Sequence, residues 1–78
     1  MTEAEFHRTY LPLSATLYRI ACYILESEAG AEDAVQEVYV RLWESRDSLE
    51  GIGSPKAYCI RMLKNLCLDR LRRESRLV

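Results

Sequence analysis

The apolar residues of this chain recur every three or four positions in three stretches, which is the spacing of one face of an amphipathic helix. The first stretch begins at Thr2, where a capping box with Glu5 favours a helix start, and it continues to about Glu26. Pro12 lies inside it and predicts a kink near residues 8–11, because proline removes a backbone donor. The apolar stripe of this helix consists of Phe6, Tyr10, Leu13, Leu17, Ile20, Ala21 and Ile24.

The second apolar stretch follows the short segment "SEAG", residues 27–30, which predicts a tight connection. It predicts a helix over about 31–46, with a buried stripe made of Ala31, Ala34, Val35, Val38, Leu42 and Trp43, and with Tyr39 beside them. The segment "RDSLEGIGS", residues 46–54, contains two glycines and predicts a loop. Loops held by rigid helices often carry function, so we expect this one to contribute to a site.

The third apolar stretch opens at Ser54 and Pro55, which are favoured as the N-cap and the first residue of a helix. This helix is predicted to run to about positions 73–74, and its apolar side consists of Cys59, Ile60, Met62, Leu63, Leu66, Cys67 and Leu71. No stretch alternates apolar and polar residues as a strand does. The pattern therefore predicts an all-α, compact three-helix bundle, with four helices if the first one breaks at Pro12.

Composition excludes several classes of protein. The 78 residues suffice for one small domain, and 49% apolar with 29% charged residues suits a soluble globular one. No apolar run approaches the roughly 20 residues that a membrane span needs, and the polar start is unlike a secretory signal. Three cysteines without a C-x-x-C pair, and the single His7, predict free thiols in a reducing cytoplasm and no metal site. Without a phosphate loop or a nucleophile motif, we expect no enzyme, no cofactor and no small-molecule substrate.

Charge is divided unevenly along the chain. Residues 1–50 have a net charge of −6, whereas residues 51–78 have a net charge of +5, which favours two different partners. One side of the third helix carries Arg61, Lys64, Asn65, Arg72 and Arg76, with Tyr58 and Leu68 among them. Such a face suits nucleic acid, since cations neutralise phosphates, an amide reads a base edge and an aromatic ring stacks on an unpaired base. An ordinary solvated face would have the same composition.

The second helix carries a polar line opposite its apolar stripe. Asp33, Gln36, Glu37 and Val40 lie at positions i, i+3, i+4 and i+7, and Glu44 continues the line. Acidic residues near a helix N-terminus favour the helix dipole, which is one explanation. The other is an acidic docking face with an apolar spot, suited to a basic helical partner. On the third helix, Arg70 interrupts the apolar side, and we expect it to reach solvent or to pair with an acidic residue of another helix.

Two long motifs in this chain resemble region 2 of bacterial sigma-70-type factors, in particular the extracytoplasmic-function (ECF) group. They are "AEDAVQEVYVRLWE" and, about ten residues later, "SPKAYCIRMLKNLCLDRLRR". The family pattern is roughly "AEDLVQEVFLRLW", a loop, and "FRAWLYRIARNLALDLLRR". The resemblance covers nearly the whole chain, including the first helix with its proline, and implies the helical fold of that region over residues 1–78.

The resemblance also implies partners and site residues in the bacterial cytoplasm. The acidic helix would dock on the clamp helices of the RNA polymerase β′ subunit through Asp33, Gln36, Glu37, Val40, Arg41 and Glu44. The third helix would engage the non-template single strand of the −10 promoter element through Tyr58, Arg61, Lys64, Asn65, Asp69, Arg72 and Arg73. In the family one base is flipped into a pocket, here within residues 46–58, and phosphate contacts hold the strand. An anti-sigma factor covers the same surfaces in the family.

The chain departs from the family pattern at three positions. Pro55 replaces a usual aromatic residue and Tyr58 a frequent tryptophan, which alters the stacking surface, and Arg70 replaces a usual leucine. A full factor of the group continues into region 4, a helix-turn-helix domain, so we expect this chain to be an excised or truncated fragment that binds duplex promoter DNA weakly by itself. The alternative hypothesis is a helical protein-interaction module, such as an adaptor, without a nucleic-acid partner.

Overall fold

The computed structural model describes residues 1–76, of which Arg76 is described by its backbone alone. In this range it contains no strand and four α-helices: α1 Glu3–Tyr10, α2 Ser14–Leu25, α3 Glu28–Glu44 and α4 Pro55–Arg76. Single turns of 3₁₀ helix cover Leu11–Leu13 and Arg46–Ser48. The predicted all-α class is confirmed, and the first predicted helix is divided into α1 and α2. None of the described helices is long and apolar enough to cross a membrane.

The break between α1 and α2 lies at Pro12 and is closed by a hydrogen bond from α3. The backbone N–H of Ser14 bonds to the carbonyl of Leu11, which tightens the chain into a 3₁₀ turn. The hydroxyl of Tyr39 donates to the carbonyl of Tyr10 over 2.7 Å. In a regular α-helix the N–H of Ser14 would bond to the carbonyl of Tyr10, but here it bonds to Leu11, and the hydroxyl from α3 supplies a donor to Tyr10. The sequence predicted four helices if the first one breaks at Pro12, and residues 1–76 contain these four helices.

The start of α3 differs from the prediction. Residues 27–30 were expected to form a connection, but Ser27 is the N-cap of α3, and its side-chain oxygen accepts a hydrogen bond from the N–H of Gly30 over 2.9 Å. The turn is limited to Glu26 and Ser27, with Glu26 in the left-handed region at φ 52°. Helix α3 is therefore longer at its N-terminus than its apolar stripe indicates, since the first turn is held by a cap.

The predicted start of α4 is confirmed. The side-chain oxygen of Ser54 accepts from the N–H of Ala57 over 3.2 Å, and Pro55 is the first helical residue. Before it, the loop is anchored by Leu49, whose side chain is buried. With 22 residues, α4 is the longest helix and is about 33 Å long at the usual rise per residue. Its first part lies in the bundle with the loop beside it.

The core is formed where α2 packs against α3 and α4 and where α3 packs against α4. The predicted stripes supply most of it, through Phe6, Tyr10, Leu17, Ala21, Ala31, Ala34, Val35, Val38, Leu42, Cys59, Leu63, Leu66 and Cys67. Trp43 was expected in this core but is 37% exposed: its ring lies at the rim, in a T-shaped contact with Phe6 and with the guanidinium of Arg46 over it. Burial raises the pKa of the Cys59 thiol to about 11 and also raises the pKa of Cys67.

Candidate protein and nucleic-acid interface

The polar line of α3 forms an exposed surface, which we call the docking face: Asp33, Gln36, Glu37, Val40, Arg41 and Glu44. The side chains of Asp33 and Glu37 are 71% and 41% exposed, and Val40 is 54% exposed. The other three residues are also exposed. Burial of these carboxylates against α4 would have excluded a docking role. Their exposure leaves an apolar side chain surrounded by polar groups, as in the protein-binding surfaces of many domains.

Arg70 of α4 reaches across to the docking face. One of its terminal nitrogens, Nη2, lies 2.9 Å from Oδ2 of Asp33 and 3.6 Å from Oε2 of Glu37. The other, Nη1, donates to the carbonyl of Gly30 over 3.5 Å. The arginine is 23% exposed, so its charge is stabilised by carboxylates of a second helix, which is one of the two outcomes expected for it.

The docking face is consequently less negative than the sequence of α3 indicates. Nη2 of Arg41 lies 3.5 Å from Oε2 of Glu37, the residue one helical turn earlier in α3. With Arg70 on the other side, two arginines face the two carboxylates of Asp33 and Glu37, and the four formal charges cancel. Gln36 and Val40 stand beside this cluster, and among residues 1–76 neither side chain forms an ion pair or a hydrogen bond.

The predicted nucleic-acid residues lie along α4, and we call them the basic face: Tyr58, Arg61, Lys64, Asn65, Asp69, Arg72 and Arg73. Arg61, Lys64, Asn65, Arg72 and Arg73 are exposed, whereas Tyr58 is half-buried against the core. Asp69 forms an ion pair with Arg73 one turn later. Arg61 and Lys64 form no ion pair within residues 1–76 and can therefore neutralise phosphates. The side chain of Arg76, also placed on this face from the sequence, lies outside the described atoms.

The two faces meet in a groove between α3 and α4 with a volume of ≈ 490 Å³. The docking face contributes Glu37 and Arg41 to it, and α4 contributes Met62, Asn65, Leu66, Asp69, Arg70, Arg72 and Arg73. The sequence placed the acidic and basic residues on separate surfaces, but the structure brings part of each set together. Met62 and Leu66 belong to the apolar stripe of α4, and their position at the edge of that stripe was the only sequence signal for a role in the groove.

The loop before α4 is open at its glycines. Gly51 has a φ of +88°, a conformation that favours glycine, and a side chain at Gly51 or Gly53 would meet no atom within 4 Å. The predicted pocket for a flipped base, within residues 46–58, stays a prediction. Two cavities lie outside this segment: one is the groove above, and the other, of ≈ 330 Å³, lies between α2 and α3 beside Tyr18 and Val35.

The described residues offer little for metal or redox chemistry. Among residues 1–76, no group of three or more His, Cys, Asp or Glu side chains is placed to hold a metal ion. Cys22, Cys59 and Cys67 are free thiols, and the latter two are buried. A thiol whose pKa is raised to about 11, such as that of Cys59, is protonated at neutral pH and is a poor nucleophile.

Comparison with known proteins identifies the family of this chain. The family model of Sigma-70 region 2 matches residues 8–77. The chain is 27% identical over 73 residues to the ECF RNA polymerase sigma factor SigX of Bacillus subtilis (strain 168), in an alignment that covers 94% of this chain. The chain spans 38% of the length of that relative. No solved structure matches the chain. The match over residues 8–77 confirms the resemblance found in the two motifs, and the chain belongs to the Sigma-70 region 2 family.

Proposed function

We propose that this chain is region 2 of an ECF-type RNA polymerase sigma factor and acts in transcription initiation in the bacterial cytoplasm. The docking face binds the polymerase core at the clamp helices of the β′ subunit, and the basic face engages the single-stranded −10 element. Its role is one of specificity and positioning, with the chemistry carried out by the polymerase. The observation that carries the proposal is that Asp33 and Glu37 are exposed on α3 while Arg61 and Lys64, which form no ion pair within residues 1–76, are exposed on α4, within the fold of this family.

The physical basis for promoter binding is the balance between lost stacking and new contacts. Removing a base from the duplex costs a few kcal/mol, and a base pocket together with phosphate contacts must offset that cost. Arg61 and Lys64 are exposed on the same side of α4, one turn apart, and can follow the phosphates of a single strand. Asn65, next to them, offers an amide for a base edge. These contacts weaken as salt rises, because each phosphate neutralised releases counterions.

The polymerase arm of the proposal is tested at Gln36 and Val40. Substituting both by lysine leaves the ion pairs of Arg70 in place, so that loss of binding cannot be attributed to loss of the α3–α4 contact. We expect the variant Gln36→Lys/Val40→Lys to bind the polymerase core at least about ten-fold more weakly, since it introduces like charge and removes an apolar contact at a face for a basic partner. Tyr23→Lys, a neutral-to-lysine change at a site on α2 that is 88% exposed, is the matched control and should bind as the unchanged chain does.

The nucleic-acid arm is tested at Arg61 and Lys64. We expect Arg61→Gln/Lys64→Gln to weaken binding to a pool of single-stranded oligonucleotides with randomised −10 positions, and to reduce the slope of log K against log salt by about 1.4. Arg19→Gln, which removes an exposed cation from α2, is the control. If the lysine and glutamine variants changed the same binding equally, the assignment of two faces would be wrong. Affinity for single strands that did not depend on salt would favour the adaptor hypothesis instead.

A further inference from the structure

The two carboxylates that a basic partner would contact are already paired with a cation of this chain. Nη2 of Arg70 lies 2.9 Å from Asp33 and 3.6 Å from Glu37, the two carboxylates of the docking face. The same side chain donates to the carbonyl of Gly30, so three groups of α3 hold the guanidinium. This arginine is 23% exposed, whereas Asp33 is 71% exposed. The guanidinium therefore lies behind the carboxylates as seen from solvent, and a partner that reaches Asp33 also approaches Arg70.

Charge balance decides what such a partner experiences. With Arg41 and Arg70 beside them, the charges of Asp33 and Glu37 are formally cancelled. Within residues 1–76, Arg41 is exposed and pairs with one carboxylate only, so it can move aside with its long side chain. Arg70 is held by two carboxylates and one carbonyl and cannot do so without losing all three contacts. A lysine or arginine of a partner must then share Asp33 with a fixed like charge, which opposes binding.

We propose that Arg70 is an internal competitor for the carboxylates of the docking face, and that it lowers the affinity of this chain for a basic helical partner. The proposal rests on the proposed function, since the partner in question is the polymerase core. It makes Arg70 a determinant of specificity that acts from α4, outside the docking face itself. Removal of Arg70 should increase the affinity of this chain for a basic partner. It should not change the affinity for a partner that binds mainly through apolar contacts at Val40.

The test compares variants that lose one positive charge at Arg70 with a control that loses one positive charge at Arg19. Arg70→Gln and Arg70→Leu both remove the competitor. The leucine variant, which continues the apolar side of α4, serves as a second choice if the glutamine amide is poorly accommodated. We expect each to bind the polymerase core about three- to ten-fold more tightly than the unchanged chain, with a steeper loss of affinity as salt rises. Arg19→Gln removes one exposed cation of α2 and should bind as the unchanged chain does. Thermal denaturation shows which variants are folded at the assay temperature.

A folded Arg70 variant that binds the core as tightly as the unchanged chain, or more weakly, would overturn the proposal. The same variants are titrated with hexalysine, a basic probe that does not depend on the polymerase. If the unchanged chain fails to bind the core, the proposed function is wrong, and the hexalysine titration alone decides the role of Arg70. Tighter binding of hexalysine by Arg70→Gln than by Arg19→Gln supports internal competition, and equal binding by the two contradicts it.

Discussion

At the scale of single residues, Tyr39 shows how one hydroxyl stabilises the disrupted connection at Pro12. Its oxygen lies 2.7 Å from the carbonyl oxygen of Tyr10, and the ring is half-buried against the core. Burial raises the pKa of Tyr39 above its ordinary value, so the hydroxyl stays protonated and remains a donor at neutral pH. The bond joins α3 to the end of α1, where a 3₁₀ turn has replaced the regular helix.

We expect Tyr39→Phe to lower the free energy of unfolding by about 1 kcal/mol. The substitution keeps the ring and leaves a backbone carbonyl with one partner fewer, which typically costs that amount. Urea denaturation of both chains measures the change. Tyr23→Phe removes a hydroxyl from a side chain that is 88% exposed and should alter the stability by less than about 0.5 kcal/mol. Equal stability of Tyr39→Phe and the unchanged chain would mean that water replaces this bond without cost.

At the scale of the elements, the turn between α2 and α3 depends on a backbone conformation that side chains disfavour. Glu26 ends α2 at φ 52°, and its N–H bonds to the carbonyl of Cys22. A left-handed residue with a Cβ atom is strained by roughly 1–2 kcal/mol relative to the right-handed conformation. Glycine is the usual residue at this position of a helix C-terminus. Ser27, the next residue, is already the N-cap of α3, so the chain reverses direction over Glu26 and Ser27 alone.

The strain predicts that glycine is the more stabilising substitution at position 26, whereas alanine is the more stabilising one at a helical position. Glu26→Gly should be about 1 kcal/mol more stable than Glu26→Ala, because only glycine adopts the left-handed conformation without strain. At Glu32, exposed within α3, the alanine variant should be about 1 kcal/mol more stable than the glycine variant. Thermal or urea denaturation of the four variants gives both differences. The same sign at both positions would show that Glu26 is not held in the left-handed region.

At the scale of the whole molecule, the contact between α3 and α4 has a polar part in addition to its apolar core. Within residues 1–76, Asp33 and Arg70 are the closest charged groups across this contact, and Arg70 also lines the groove in which the two faces meet. Because Asp33 is largely exposed, solvent screens the pair and limits its contribution to stability. The ion pair is therefore expected to contribute little to holding the bundle together.

A double-mutant cycle of Asp33→Asn and Arg70→Gln measures how strongly this pair couples the two helices. We expect a coupling free energy of up to about 1 kcal/mol that declines when salt is raised to about 1 M, as for other exposed ion pairs. Urea denaturation of the four chains at two salt concentrations provides it. A coupling of several kcal/mol that did not respond to salt would indicate a buried network and would give Arg70 a mainly structural role.

The sequence by itself determined the elements that depend on neighbours along the chain. The apolar stripes at helical spacing predicted the all-α class and most of the core. The caps at Thr2 and Ser54 predicted the starts of α1 and α4, since a side-chain oxygen bonds to an N–H only three residues away. The two motifs of the second and third predicted helices were sufficient to suggest the family that the comparison confirms. All of these signals are local.

Only the tertiary structure decided the features that depend on residues distant in sequence. The hydroxyl that completes the break at Pro12 comes from Tyr39, 29 residues after its acceptor. Arg70 bonds to a carbonyl 40 residues before it and pairs with Asp33 and Glu37, so the charge of the docking face could not be obtained by counting the residues of α3. Long side chains reach several ångströms in directions set by helix packing. Periodicity gives the side of a helix on which a residue lies, but it does not give the helix that the residue will meet.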